Sequence, residues 1–213
     1  MMSAPQRADQ IEKLHQAAQA LVQGKVLIYP TETFYALGAS GLDHRAVHTV
    51  STIKKRAPQK PLPVIIGSMA QLYQVCREVS ADVAELARAF WPGPLSIVVP
   101  AHDQISPLAM DASGFCSVRW SSHSLAQELC VQADVPVVAT SANLAGGPSV
   151  SRPDDLHPHL VQAVDCVLDF PPYPLGDLPS TVVRPVGGKK IHILRFGAVP
   201  KHQLRAAGWE VSG

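Results

Sequence analysis

The stretch Lys25–Gly38, KVLIYPTETFYALG, constrains the fold of this chain more than any other. Val26 to Tyr29 is a short apolar run with high strand propensity, of the kind that sits buried on both faces of a sheet. Pro30 has no N–H to donate, which predicts that the ladder ends there. Thr31, Glu32 and Thr33 follow at once. They place three oxygen-bearing side chains at the mouth of a buried strand, where open α/β sheets hold their ligands. Taken alone, the triplet also fits a solvated turn.

The rest of the chain alternates strand and helix patterns around this element. A helix is predicted over residues 9–23, capped by Asp9 with Glu12 completing a capping box and stopped by Gly24. Asp43 caps a second helix, which ends near Lys54 because Pro58 and Pro61 forbid its continuation. Strands are expected at Leu62–Ile66, Leu95–Val99, Phe115–Trp120, Pro136–Ala139 and Val164–Phe170. Helices are expected after Ser68, after Ser80, over 123–133 and, interrupted by Pro158, over Asp154–Val161. Thr181–Val186 and Lys190–Arg195 flank Gly187-Gly188 and read as a hairpin. Pro200 opens a last helix that Gly208 ends. This order predicts an α/β fold, a single-domain twisted mixed sheet flanked by helices, with one domain over 1–213 and its core over about 9–208.

Composition narrows the class. The chain has 213 residues, 46% hydrophobic and 16% charged, enough to bury a core without disulfide support. Cys76, Cys116, Cys130 and Cys166 are widely spaced in apolar contexts, so buried free thiols are expected. No apolar run approaches a membrane span, and MMSAPQRADQ lacks the pattern of a signal peptide, so a soluble cytoplasmic protein without a membrane partner is expected. His44 and His48 stand four apart on a helix but have no third ligand nearby, so they read as surface residues. His157 and His159 read the same way.

Net charge is +1, yet the cations cluster. Between His44 and Arg77 there is no acid, while Arg45, Lys54, Lys55, Arg56, Lys60 and Arg77 all fall there. A second basic segment runs from Arg184 to Arg205. Two such segments fit a local anion site or two solvated faces. Lys54, Arg56 and Lys60 lie within seven residues, which suits a polyphosphate. Thr140-Ser141-Ala142-Asn143 forms a second polar strand mouth, in which Ser141 and Asn143 fit a sugar or an amide, and Thr33 fits a small polar substrate. A site of this kind works by orientation and charge stabilisation. The phosphate loop and dinucleotide fingerprints are absent, and Gly187-Gly188-Lys189-Lys190 sits between strands, not before a helix.

Several of these stretches together resemble one family. YPTETFYALG is similar to the YPT-D/E-T-x-YGLG signature of the YrdC family, the threonylcarbamoyl-AMP synthases. Lys54-x-Arg56 with Lys60-Pro61-Leu62, Pro92-Gly93-Pro94-Leu95-Ser96, Val118-Arg119, Ser141-Ala142-Asn143-Leu144-Ala145-Gly146, Pro179-Ser180-Thr181-Val182-Val183 and Ile193-Leu194-Arg195-Phe196-Gly197-Ala198 resemble its other motifs in order. The likeness runs from about residue 12 to 205 and matches the short form without an extra C-terminal domain. It implies a nucleotidyltransferase that condenses L-threonine, bicarbonate and ATP into threonylcarbamoyl-AMP and releases pyrophosphate. A tRNA threonylcarbamoyl-transferase complex would act downstream. By motif, Thr33 and Ser141 contact threonine, Lys54 and Arg56 act catalytically, and Lys54, Arg56, Lys60, Arg119, Asn143, Ser151 and Arg195 bind ATP. Mg²⁺ accompanies ATP, with no dedicated protein metal site.

The chain departs from the pattern at three places. Ala36 replaces a glycine, which costs about 1 kcal/mol if the position needs positive φ. Ser121 replaces the proline of a VRxP motif, leaving Val118-Arg119-Trp120-Ser121. Ile65 stands where some members carry histidine. The alternatives are a YciO-like protein without synthase activity, a tRNA- or double-stranded-RNA-binding module, and a carbamoyl-adenylate domain of hydrogenase-maturation type.

Overall fold

The computed structural model describes residues 4–56 and 60–213, and the side chains of all of these but 4–6. Pro58, invoked above to stop a helix, lies outside the described residues.

The apolar run does form a strand buried on both faces. β1 (Leu27–Pro30) is buried at every position. Ile28 faces one hydrophobic cluster, while Leu27 and Tyr29 face another. The period-2 alternation of a strand thus separates two cores. Pro30 does not leave the ladder. It pairs with Tyr35, because YALG is itself a strand, β2 (Tyr35–Gly38), antiparallel to β1. Thr31–Phe34 is therefore a hairpin turn rather than an open strand mouth.

α1 (Ala4–Val22) begins before Asp9, which lies inside the helix. Leu14, Ala17, Ala18 and Leu21 of α1 pack with Leu125, Ala126 and Leu129 of α5 (Ser124–Ala133) in the smaller cluster. α2 (His44–Ile53) is capped by Asp43, whose carboxylate accepts from Arg45 N at 2.9 Å and Ala46 N at 3.1 Å. Ser68 and Ser80 cap α3 (Met69–Val75) and α4 (Ala81–Phe90) in the same manner.

The strands form two mixed sheets where one was expected. The larger contains β3 (Val64–Ile66), β4 (Leu95–Pro100), β5 (Phe115–Trp120), β6 (Val137–Val138), β9 (Thr181–Gly187), β10 (Lys190–Arg195) and β11 (Glu210–Ser212), in the order β11-β10-β9-β4-β5-β3-β6. The smaller has the order β7-β2-β1-β8, with β7 at Thr140–Ser141 and β8 at Cys166–Val167. The segment 137–141 belongs to both. Val137 and Val138 pair with β3, and Thr140 and Ser141 pair with β2.

The strand expected over Val164–Phe170 shortens to β8. Pro158 opens α6 (Pro158–Gln162) instead of interrupting a helix, since a proline in the first helical turn forfeits no bond. α7 (Lys201–Ala206) follows Pro200, and the three-residue β11 was not expected. Cys76, Cys116 and Cys130 are buried free thiols, and Cys166 is half-buried. Among the described residues no helix is long and apolar enough to cross a membrane.

Candidate functional site

The β1–β2 turn is built by its first threonine. Thr31 Oγ1 donates to Phe34 O at 2.7 Å and lies 3.2 Å from Thr33 Oγ1. Both threonines are buried, so they do not decorate a solvated turn. Loop 171–179 straps onto this turn, with Leu175 N donating to Glu32 O at 3.2 Å and Gly176 N donating to Thr33 O at 2.9 Å.

A cleft of about 160 Å³ opens beside the turn. Thr33 and Ala36 come to it from the first hairpin, Ile65 from β3, Arg119 from β5, and Ser141 from β7. Ser96 and Ser180 face it from β4 and the residue before β9, 2.9 Å apart through their hydroxyls. Parallel pairing of Ser96 with Val182 makes the two serines diagonal neighbours on one face of the sheet.

Three guanidiniums converge on this lining. Arg56 is held by Lys60 O and Pro61 O, each at 2.8 Å, and reaches Thr140 Oγ1 at 3.3 Å. Arg195 donates to Ser180 O at 2.9 Å and to Ser180 Oγ at 2.8 Å. Arg119 is buried and pairs with the Glu32 carboxylate. Burial lowers the pKa of all three, and the Arg195 charge adds to the lowering at Arg56 and Arg119. Arg119 comes down to about 10 and so stays cationic at neutral pH. Three cations against one carboxylate leave an excess of positive charge, and an anion is the complement.

Lys54 behaves differently from the phosphate ligand implied by its motif. Its ammonium donates to Ser141 O at 2.8 Å, to Asn143 Oδ1 at 2.7 Å and to Asn143 O. All three of its protons are thereby used behind the cleft, holding the 141–143 loop. Burial, with the Arg56 charge as a smaller cause, lowers its pKa to about 8. Asn143 is equally committed, accepting from Ser141 Oγ at 2.5 Å and donating to Gly147 O. The structure therefore brings Thr33, Arg56, Arg119, Ser141 and Arg195 onto one lining, and leaves Lys54, Lys60, Asn143 and Ser151 off it. Lys60 is exposed, and Ser151 packs where a Cβ on Gly176 would stand, 2.6 Å from its Oγ.

Thr31 and Thr140, read from the sequence only as parts of the two polar strand mouths, line the cleft, and so do Ser96, Ser149 and Ser180, to which the sequence reading gives no role. Ser96 and Ser180 do lie inside the PGPLS and PSTVV stretches, so motif position was the available signal. Ala36 lies in strand β2 and is not among the residues with positive φ, so alanine there carries no backbone strain. Among the described residues no group of three or more histidines, cysteines and acids stands ready to hold a metal.

Fold and site together define an α/β protein whose two sheets share a seam beside a cationic, hydroxyl-lined cleft. The profile of the Sua5/YciO/YrdC family, described as "Telomere recombination", matches residues 19–197, and the chain belongs to that family. It is 30% identical over 199 residues to the threonylcarbamoyl-AMP synthase of Pyrococcus abyssi, covering 93% of this chain and 58% of that protein. It is 35% identical over 158 residues to the synthase of Stenotrophomonas maltophilia, covering 73% of this chain and 85% of that one. The chain thus spans little more than half the length of some curated relatives. The structure of P. abyssi Sua5 complexed with L-threonine superposes with a TM-score of 0.83 at 29% identity, over 91% of this chain and 56% of that one. E. coli YciO shares the fold, with a TM-score of 0.79 at 21% identity over 92% of this chain and 93% of that one.

Proposed function

We propose that this chain is a threonylcarbamoyl-AMP synthase, a nucleotidyltransferase acting on L-threonine, bicarbonate and ATP. The observation that carries this reading is the convergence of Arg56, Arg119 and Arg195 on a lining that also presents the hydroxyls of Thr33 and Ser141. The similarity to a family member solved with L-threonine supports it.

In this reading Thr33 and Ser141 orient threonine. Its neutral amino group adds to CO₂ with loss of a proton, or to bicarbonate with loss of water, to give a carbamate. A carbamate oxygen then attacks the α-phosphorus of ATP, and the bond to the bridging oxygen breaks to release pyrophosphate. The guanidiniums stabilise the charge that builds on the departing group. Lys54 serves by fixing the 141–143 loop, and Lys60 and Ser151 stand outside the lining. The cleft lining holds hydroxyls and guanidiniums but no carboxylate. That donor set fits Mg²⁺ carried in on the nucleotide phosphates and not a cation caged by protein. The product would pass in the cytoplasm to a transferase complex acting on tRNA adenosine.

The test is pyrophosphate release from ATP with and without L-threonine, in bicarbonate buffer with Mg²⁺. Release that requires threonine and falls about 10²-fold in Arg56→Ala and Ser141→Ala is expected, the scale of losing one stabilising donor. A folded protein that binds ATP but releases no threonine-dependent pyrophosphate overturns the reading. If it also binds double-stranded RNA with steep salt dependence, the RNA-binding alternative takes its place.

A further inference from the structure

We propose that Ser121 is a positioning residue of the anion site, acting through Glu32 on Arg119. The proposal rests on the reading of the cleft as a nucleotide site. Ser121 follows β5 directly, two residues after Arg119, and is fully buried. It stands where the resembling motif carries proline, which has no side-chain donor. Here the Ser121 hydroxyl donates to Glu32 Oε2, while Arg119 Nη1 donates to Glu32 Oε1. The two carboxylate oxygens thus have two different side-chain partners, reached across 89 and 87 residues of sequence.

This arrangement fixes the carboxylate in rotation as well as in place. A carboxylate held at one oxygen pivots about that contact, and its arginine pivots with it. Held at both, it presents one face to the guanidinium, and the unused N–H groups of Arg119 keep one direction into the cleft. The serine is itself fixed. Its carbonyl accepts from Gln127 Nε2 at 2.7 Å, and its hydroxyl oxygen accepts from His123 N at 3.3 Å. The Glu32 backbone is held from the other side by Leu175 N. Because the Glu32 side chain is only 10% exposed, water does not readily replace a missing hydroxyl.

The experiment is calorimetric titration of Mg·ATP, and separately of inorganic pyrophosphate, into the wild type, Ser121→Ala, Ser121→Cys, Ser121→Thr, Glu32→Gln and the Ser121→Ala/Glu32→Gln double variant. Urea unfolding establishes which variants are folded. Ser121→Ala and the near-isosteric Ser121→Cys are expected to weaken both ligands about tenfold. Ser121→Thr, which keeps the hydroxyl, is expected within about threefold of wild type. In the double variant the serine change is expected to add less than about twofold to Glu32→Gln, because both act through one carboxylate. In turnover, Ser121→Ala is expected to raise the KM for ATP and leave that for threonine unchanged, a split that general loss of fold does not give. A folded Ser121→Ala or Ser121→Cys variant that binds pyrophosphate like wild type overturns the proposal, as do effects that multiply in the double variant. A wild type that binds ATP or pyrophosphate without threonine-dependent release overturns the synthase reading alone. A wild type that binds neither overturns both.

Discussion

Gly38→Ala tests the join between the two sheets. A Cβ at this position would stand 1.8 Å from Val138 O, 2.9 Å from Val138 C and 3.1 Å from Tyr29 Cε1. An unstrained carbon–oxygen contact lies at about 3.3 Å or beyond, so the two backbones must part by about 1.5 Å. Val138 O is also the acceptor of the buried Tyr29 hydroxyl at 2.7 Å, and that bond breaks or stretches with the shift. Overpacking of a dense core costs about 1–3 kcal/mol, and stranding a buried hydrogen-bonding pair about 1–3 kcal/mol more. A loss of about 2–6 kcal/mol is therefore expected, a drop in Tm of roughly 10 °C for a chain of this size. Urea and thermal unfolding of the ligand-free proteins measure it. A variant within about 1 kcal/mol of wild type would refute the reasoning. Ala36→Gly is the control. It restores the glycine of the resembling motif, yet should lower stability by about 0.5–1 kcal/mol, because Ala36 is buried in an ordinary strand.

Two further outcomes concern buried bases. Burial holds the pKa of His123 below 6.5. Its Nε2 is 2.7 Å from Pro172 O, and its Nδ1 has no partner. Below about pH 6.5 the unfolded chain takes up a proton that the fold refuses, so stability falls as the medium is acidified. The urea midpoint should drop less between pH 7 and 5 in His123→Gln than in wild type, and equal drops would exclude this residue as the cause. Lys54, lowered to about 8 from 10.5, has the same sign in another window. Between those values the unfolded chain binds the extra proton, so the Lys54 contribution to stability rises with pH. Lys54→Met should lack that rise when unfolding is followed from pH 8 to 10, and an unchanged slope would contradict the burial argument.

Local chemistry was the legible part of the fold. The double-sided burial of Val26–Tyr29, the caps at Asp43, Ser68 and Ser80, the bounds of β5 and the β9–β10 hairpin all follow from short-range pattern and turn residues. β2 was hidden because alanine and glycine have poor strand propensity, and YALG becomes a strand only by pairing with β1. The division into two sheets depends on where residues 137–141 lie, which no local signal carries. The site was half legible for the same reason. Motif order named Thr33, Arg56, Arg119, Ser141 and Arg195, which do share a lining. It did not show that the Lys54 ammonium turns toward residues 141 and 143, 87 and 89 positions away, or that Glu32 closes on Arg119 and Ser121. Those are tertiary choices, made where buried charge must find partners.

The seam at 137–141 also decides where this protein can be cut. Ala139 N bonds to Pro63 O at 2.9 Å on one side, and Val138 N to Ala39 O at 2.9 Å on the other. A nick or a new terminus there would strip an edge from both sheets and release Ser141 from the cleft. The exposed Gly188–Lys189 turn, with open space where a Gly188 Cβ would stand, gives up the hairpin tip and the contacts of Lys189 with Asp82, Glu85 and Glu210, and leaves both sheets whole. Permuted or split forms of the chain are best opened at that turn, with the seam left whole.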